Sequence, residues 1–237
     1  MPQQVQQDPS SKIWSYLQSK LGTSSAKPSG LAVGYLRTYL TGVDPLVDGD
    51  WPAIGRRFDH LATTNIDPNI ITAEDLLSVS FLSVSVPPRA AWAILTSRST
   101  AITKKLAQIP DNVSIDNPKC CLDMYQADSP SQELWDLLRR DENGKLWDMG
   151  ATKISKVMAC KRPLLVPIQD RVVMTELDAT DAEYWRMWWQ AMHLRENSKP
   201  VVADFARELQ ERVPEAEKLS LLRTLDIVIW MHGTHRS

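Results

Sequence analysis

The sequence predicts an all-α, multi-helical, bilobal protein. Three observations predict it. Apolar residues recur at three- and four-residue spacing in segment after segment, as Ile13, Trp14, Leu17 and Leu21 do. Ser, Thr, Asp and Pro stand where helix starts need them. Alternation of apolar and polar residues is confined to SVSFLSVSV, residues 78–86, and no partner strand is evident near it.

In chain order, residues 1–11 are rich in Gln, Ser and Pro and read as a disordered tail. Residues 12–237 read as a single helical domain, with two lobes divided near 110–129. Lys12 to Leu21 is the first helix, GTSSAKPSG a loop, Leu31 to Leu40 the second helix, and DPLVDGDWP another loop. Gly55 to Leu61 follows, with Phe58 and Leu61 facing inward. Thr72-Ala-Glu-Asp75 resembles a capping box ahead of LLSVSFL. The run after it fits helix or strand, and helix to about Leu82 is preferred. Pro87-Pro88 opens RAAWAILTS, and a further helix runs to about Leu106. IPDNVSIDNPK is loop by composition. Pro130 fits the first turn of SQELWDLLRR. The remaining helices cover Thr180 to Leu194, Val201 to Val213 and Leu219 to His232, the last apolar enough to be central to packing.

Composition excludes more than it assigns. With 43% apolar and 24% charged residues and a net charge of −2, the chain offers no whole-protein case for nucleic acid. The charge is uneven, however. Between residues 139 and 171, eight basic residues (Arg139, Arg140, Lys145, Lys153, Lys156, Lys161, Arg162, Arg171) face four acidic ones. Three cysteines form neither a disulfide framework nor a zinc pattern, so an intracellular, reducing location is expected, cytoplasmic or nuclear. No apolar run reaches the ~20 residues of a membrane span, and no membrane partner is expected. His60, His193, His232 and His235 lack ligand spacing, and the last two are expected at the surface. No Walker loop, dinucleotide glycine pattern, nucleophile elbow or HExxH motif is present, and no cofactor is expected.

One stretch, DMGATKISKVMACKRPLLVPIQD (148–170), carries the functional reading. Gly150 marks a tight turn, Ile154, Val157 and Met158 a short helix, and Lys161-Arg162-Pro163 its stop. Leu164 to Ile168 is apolar, and Asp170 sits where an N-cap belongs ahead of RVVMTEL. The plain role of Asp170 is that cap, and the plain role of the cations is a solvated face.

From about Arg57 to Met231 the chain resembles an uncharacterised family of actinobacterial and fungal proteins. The resemblance rests on RRFDHL, ITAEDLLSVSFLSVSVP, AQIP, WDLL, KISKVMACKRPLLVPIQDRVV and LLRTLDIVIWMH. More remotely, the 148–170 stretch resembles the core of the helix-hairpin-helix DNA glycosylase superfamily, in which a glycine hairpin opens a helix and an aspartate opens the next. That resemblance implies Asp170 as the catalytic carboxylate. It implies Gly150, Lys153, Lys156, Lys161 and Arg162 as contacts to double-stranded DNA, with Trp147, Trp185, Trp188 and Trp189 as stacking candidates. Thr152 stands at the position of the lysine nucleophile, so the implied enzyme is a monofunctional DNA glycosylase. Three cysteines cannot bind the four-cysteine cluster of some members. Asp148 in place of the first hairpin glycine, Ile154 in place of a small residue, and Arg171-Val172 after the aspartate depart from the pattern. The rival expectation is a non-catalytic protein-interaction or scaffold module that keeps the fold. A sequence-specific DNA-binding regulator ranks third, because no helix-turn-helix pattern stands out.

Overall fold

The computed structural model describes residues 9–23, 27–42, 55–63, 67–120 and 122–235. The expected tail up to Gln7 and Asp8, the loop DPLVDGDWP, Cys121 and the side chains of His60 and Leu61 lie outside the described residues. Within them the chain forms helices α1 (Pro9–Leu21), α2 (Gly30–Thr41), α3 (Arg56–Thr63), α4 (Ala73–Ser78), α5 (Pro88–Leu95) and α6 (Ser99–Leu106). There follow α7 (Pro130–Arg139), α8 (Ala151–Lys161), α9 (Arg171–Glu176), α10 (Tyr184–Met192), α11 (Val201–Arg212) and α12 (Leu221–Thr234). The only sheet among the described residues is a ribbon, β1 (Arg195–Glu196) paired antiparallel with β2 (Lys199–Pro200). Asn197 and Ser198, both at positive φ, close its turn. The class is all-α.

Local chemistry explains most boundaries. α1 starts at Pro9, inside the stretch expected to be disordered, because proline is favoured in a first turn. Ser29, Ser129 and Ser220 cap α2, α7 and α12 through their hydroxyls. The Thr72–Asp75 capping box is complete: Asp75 accepts from the Thr72 N–H at 2.7 Å while Thr72 accepts from the Asp75 N–H. The alternating run after it is helical, α4 continuing as a 3-10 turn over Val79–Leu82. Ser83, at φ 61°, then ends it in the left-handed conformation.

The terminal helices pack together: α1 on α10, α2 on α12, and α12 on α9 and α11. The middle helices pack among themselves, α3 on α4 and α8, and α7 on α6 and α8. α12 is apolar on nearly every face, with Leu225, Val228, Ile229 and Met231 all buried, which is why it takes a central position. His232 is a correction to the expected surface histidine. It is buried, with its ring edge-on to Tyr16 and Tyr35.

Gly233 marks a close approach of two elements. A Cβ there would lie 2.6 Å from Val172 Cγ1 and 2.8 Å from Glu176 Cγ, so a glycine lets α12 pack directly on α9. That contact sets the height of α9, and with it the carboxylate that caps it.

Candidate functional site

The segment from Asp148 to Asp170 is held by its own polar groups. Trp147 donates its indole N–H to Leu138 O at the end of α7. Asp148 is the residue in the left-handed conformation (φ 64°), which aspartate tolerates better than most. Gly150 is extended at the N-cap of α8 (φ −81°), and a Cβ there would meet nothing within 4 Å. The turn therefore depends on Asp148, and the backbone freedom expected of Gly150 is not used. Ser155 accepts from the Gln169 N–H at 2.9 Å, and Tyr184 donates to Ile168 O at 2.7 Å. These two bonds pin the apolar run between α8 and α10 and aim Asp170.

A cavity of about 670 Å³ opens beside this segment. Its volume lies in the range of small-molecule sites. Gly150, Thr152 and Lys153 border it at the start of α8, where the first amide groups have no acceptor inside the helix. Lys156 and Asp170 border it further in, and Arg223, Asp226 and Trp230 from α12 close it on another side. Tyr39 and Phe81 add aromatic wall.

Asp170 does two jobs at once. Its Oδ1 accepts from the Val172 N–H at 3.0 Å, capping α9, and its Oδ2 accepts from Lys156 Nζ at 3.0 Å. The side chain of Lys156 is 2% exposed and that of Asp170 18% exposed, so the lysine is interior and the carboxylate reaches the cavity. Lys156 also donates to Leu82 O at 2.9 Å, which ties α8 to the 3-10 turn after α4. Lys153, nearer the mouth, donates to the backbone and carboxylate oxygens of Asp148 at 3.0 and 3.3 Å.

The other expected nucleic-acid contacts lie elsewhere. Lys161 forms a fully buried pair with Asp75 at 2.7 Å, each side chain 1% exposed. Arg162 spends its guanidinium on the carbonyls of Leu106, Ile109, Pro68 and Lys161 and on Asn69 Oδ1, at 2.5 to 2.8 Å. Neither borders the cavity. A planar fork with five donors suits this knot of loop carbonyls, and a phosphate has no access to it. Of the eight cations counted in the basic stretch, Lys156, Lys161 and Arg162 are thus internal.

The tryptophans named for stacking are also placed differently. Trp188 is core, Trp185 packs edge-on against Trp135 and Tyr125, and Trp189 stacks on His193. Trp147 lies beneath the Arg98 guanidinium. The aromatic side chains at the cavity are Tyr39, Phe81 and Trp230, far from Asp170 in sequence. Only the apolar character of α2, of the 78–86 run and of α12 hinted at them.

Behind the cavity wall lies a buried ionic cluster that the sequence did not reveal. Arg223 donates to Asp59 at 2.9 Å, to Asp226 at 2.5 Å and to the Tyr39 hydroxyl at 2.6 Å. Burial pushes the Asp226 carboxyl up to about 6, with Arg223 opposing the rise and Asp170 adding to it. Burial likewise raises Asp59 and lifts the Tyr39 hydroxyl to about 12.

Among the described residues no group of three or more His, Cys, Asp or Glu side chains is arranged to hold a metal ion. Cys160 is buried beside Ser78, and burial pushes its thiol up to about 12, so it is a packing residue. No described helix is long and apolar enough to cross a membrane. No curated protein and no solved structure matches the chain. Residues 32–233 match one family model, and the chain accordingly belongs to DUF6308, a family of unknown function.

Proposed function

We propose that the protein binds double-stranded DNA and is DNA-glycosylase-like, receiving an extruded base in the 670 Å³ cavity with Asp170 as its catalytic carboxylate. One observation carries this reading. The start of α8, Lys153 and a partly exposed carboxylate, all from one 23-residue stretch, border a single cavity with aromatic walls. The open amides at Ala151 and Thr152, with Lys153 beside them, suit a backbone phosphate. Tyr39, Phe81 and Trp230 suit a flat ring. Asp170 would stabilise positive charge developing on the sugar as the base departs, and water would complete the displacement. Thr152 offers no amine for an imine, which keeps the reading monofunctional.

The test has two parts. Affinity for a generic duplex should fall steeply between low and moderate salt, and Lys153→Ala should lower that slope by about one. Base release from a panel of damaged-base duplexes should be lost in Asp170→Asn at a temperature where the variant is folded. A second reading, a non-catalytic interaction module, is favoured by the fact that both Asp170 oxygens already have protein partners. It predicts no salt-dependent duplex binding at all.

A further inference from the structure

We propose that Asp226 is the specificity-determining residue of the cavity, accepting a hydrogen bond from the exocyclic amino group of a planar nitrogen heterocycle. The inference rests on the reading of the cavity as a base-receiving site. Asp226 borders the cavity from α12 and is 5% exposed. Its Oδ2 is held by Arg223, but its Oδ1 is buried with no hydrogen-bond partner. A carboxylate has about four lone-pair sites, and folded proteins rarely leave a whole oxygen unused in the interior. Asp59 also has an unpartnered oxygen, but it does not border this cavity.

Charge counting points the same way. The interior groups gathered here are the cations Lys156 and Arg223 and the carboxylates Asp59, Asp170 and Asp226. Among the described residues gathered here, one negative charge is in excess. A ligand that donates an N–H to Asp226 relieves that excess. An exocyclic carbonyl oxygen in place of that amino group turns lone pairs toward the carboxylate and is repelled. Tyr39, Phe81 and Trp230 supply the flat apolar surface on which such a ring would rest. At the exocyclic position adenine and cytosine carry an amino group and hypoxanthine and uracil a carbonyl oxygen with only a ring N–H beside it, so the amino-bearing pair fits better, in the way that carboxylates read the cytosine amino group elsewhere.

The experiment measures binding of adenine, cytosine, hypoxanthine and uracil, as free bases and as single mismatched bases in one duplex, to wild type and Asp226→Asn. The expected result is a preference of roughly tenfold or more for the amino-bearing pair at pH 7.5, falling to within about twofold in Asp226→Asn. Trp230→Ala should weaken all four alike and preserve the order. A wild-type protein that binds the four bases equally overturns the assignment without recourse to any variant, as does an unchanged preference in Asp226→Asn. Salt-dependent binding of an undamaged duplex is recorded alongside. Duplex binding without base preference sinks the Asp226 role alone. Preference among free bases without duplex binding sinks the nucleic-acid reading and leaves Asp226 in place.

Discussion

Asp170→Asn should destabilise the protein through Lys156 rather than through the cap of α9. Asparagine caps a helix about as well as aspartate, so loss of the Oδ1 bond to Val172 costs only a few tenths of a kcal/mol. Lys156 is the expensive partner. Its side chain is 2% exposed, and without Asp170 its one remaining acceptor among the described residues is Leu82 O. Breaking a buried pair from one side costs roughly 3–5 kcal/mol. The surviving bond and the new amide oxygen place this case near the lower end, about 3 kcal/mol. For a chain of this size that corresponds to a fall in Tm of roughly 6–12 °C. Lys156→Met should cost less, about 1–2 kcal/mol, because Asp170 is 18% exposed and keeps the Val172 N–H. The double variant Lys156→Met/Asp170→Asn removes both charges and should return to within about 1 kcal/mol of wild type. Urea unfolding of the four proteins gives the cycle directly, with a coupling energy of about 2 kcal/mol or more. Additive single effects, or an Asp170→Asn protein as stable as wild type, would refute the reasoning. It would mean that water already reaches the lysine.

Other expectations follow from the same geometry. Arg162→Lys should cost roughly 3–5 kcal/mol in urea unfolding, since an ammonium cannot serve the five acceptors that the guanidinium holds together, and a cost under about 1 kcal/mol would place those carbonyls in water. Gly233→Ala should cost roughly 1–3 kcal/mol by forcing α12 off Val172 and Glu176, and should also blunt any activity of Asp170, read as thermal stability and base release together. Gly150→Ala should cost no more than about 1 kcal/mol in urea unfolding, because the position is extended and open, and a larger loss would show that a Cβ there meets the fold after all. Asp226 predicts a pH effect of definite sign. Its folded-state carboxyl titrates at about 6 against an ordinary 3.8, so between those values the folded protein holds a proton that the unfolded chain has released. Its contribution to stability is therefore present at low pH and lost as pH rises from about 4 to 6, by up to about 3 kcal/mol. Arg223, Asp170, Lys156, Tyr39 and Tyr184 face the same carboxylate, so the comparison is wild type against Asp226→Asn, whose stability should rise relative to wild type across that window.

The helices were legible in the sequence because their signals are local. Thr72, Pro130 and Asp170 each act within four residues, and the structure places each at the helix start expected of it. The alternating run 78–86 was ambiguous for the same reason. Its outcome was set by a capping box before it and a left-handed serine inside it, with no strand among the described residues to pair with. What the sequence could not display was the fate of a charge. Lys161 and Arg162 look like a solvated knuckle until Asp75, 86 residues away, and the carbonyls of Leu106 and Ile109 are folded onto them. Trp230 and Tyr39 likewise come from α12 and α2, and no spacing rule links them to Asp170.

That contrast bears on which parts of the site are built for function. Arg162 has all five donors committed to protein oxygen and Lys161 is buried against Asp75 and the Asp67 carbonyl, and their loss would be felt as instability. Asp170 is satisfied yet still reaches the cavity, and Lys156 holds it there. Asp226 is the reverse case, nearly inaccessible and unsatisfied, with one oxygen that the fold leaves unpaired beside a cavity large enough for a flat ring. Replacing Arg223, Asp226 and Asp59 by apolar residues of matching volume would be expected to stabilise a purely structural core. On the proposed reading, the uneven count of charge among the described residues next to this aromatic-walled space is completed by a ligand from outside.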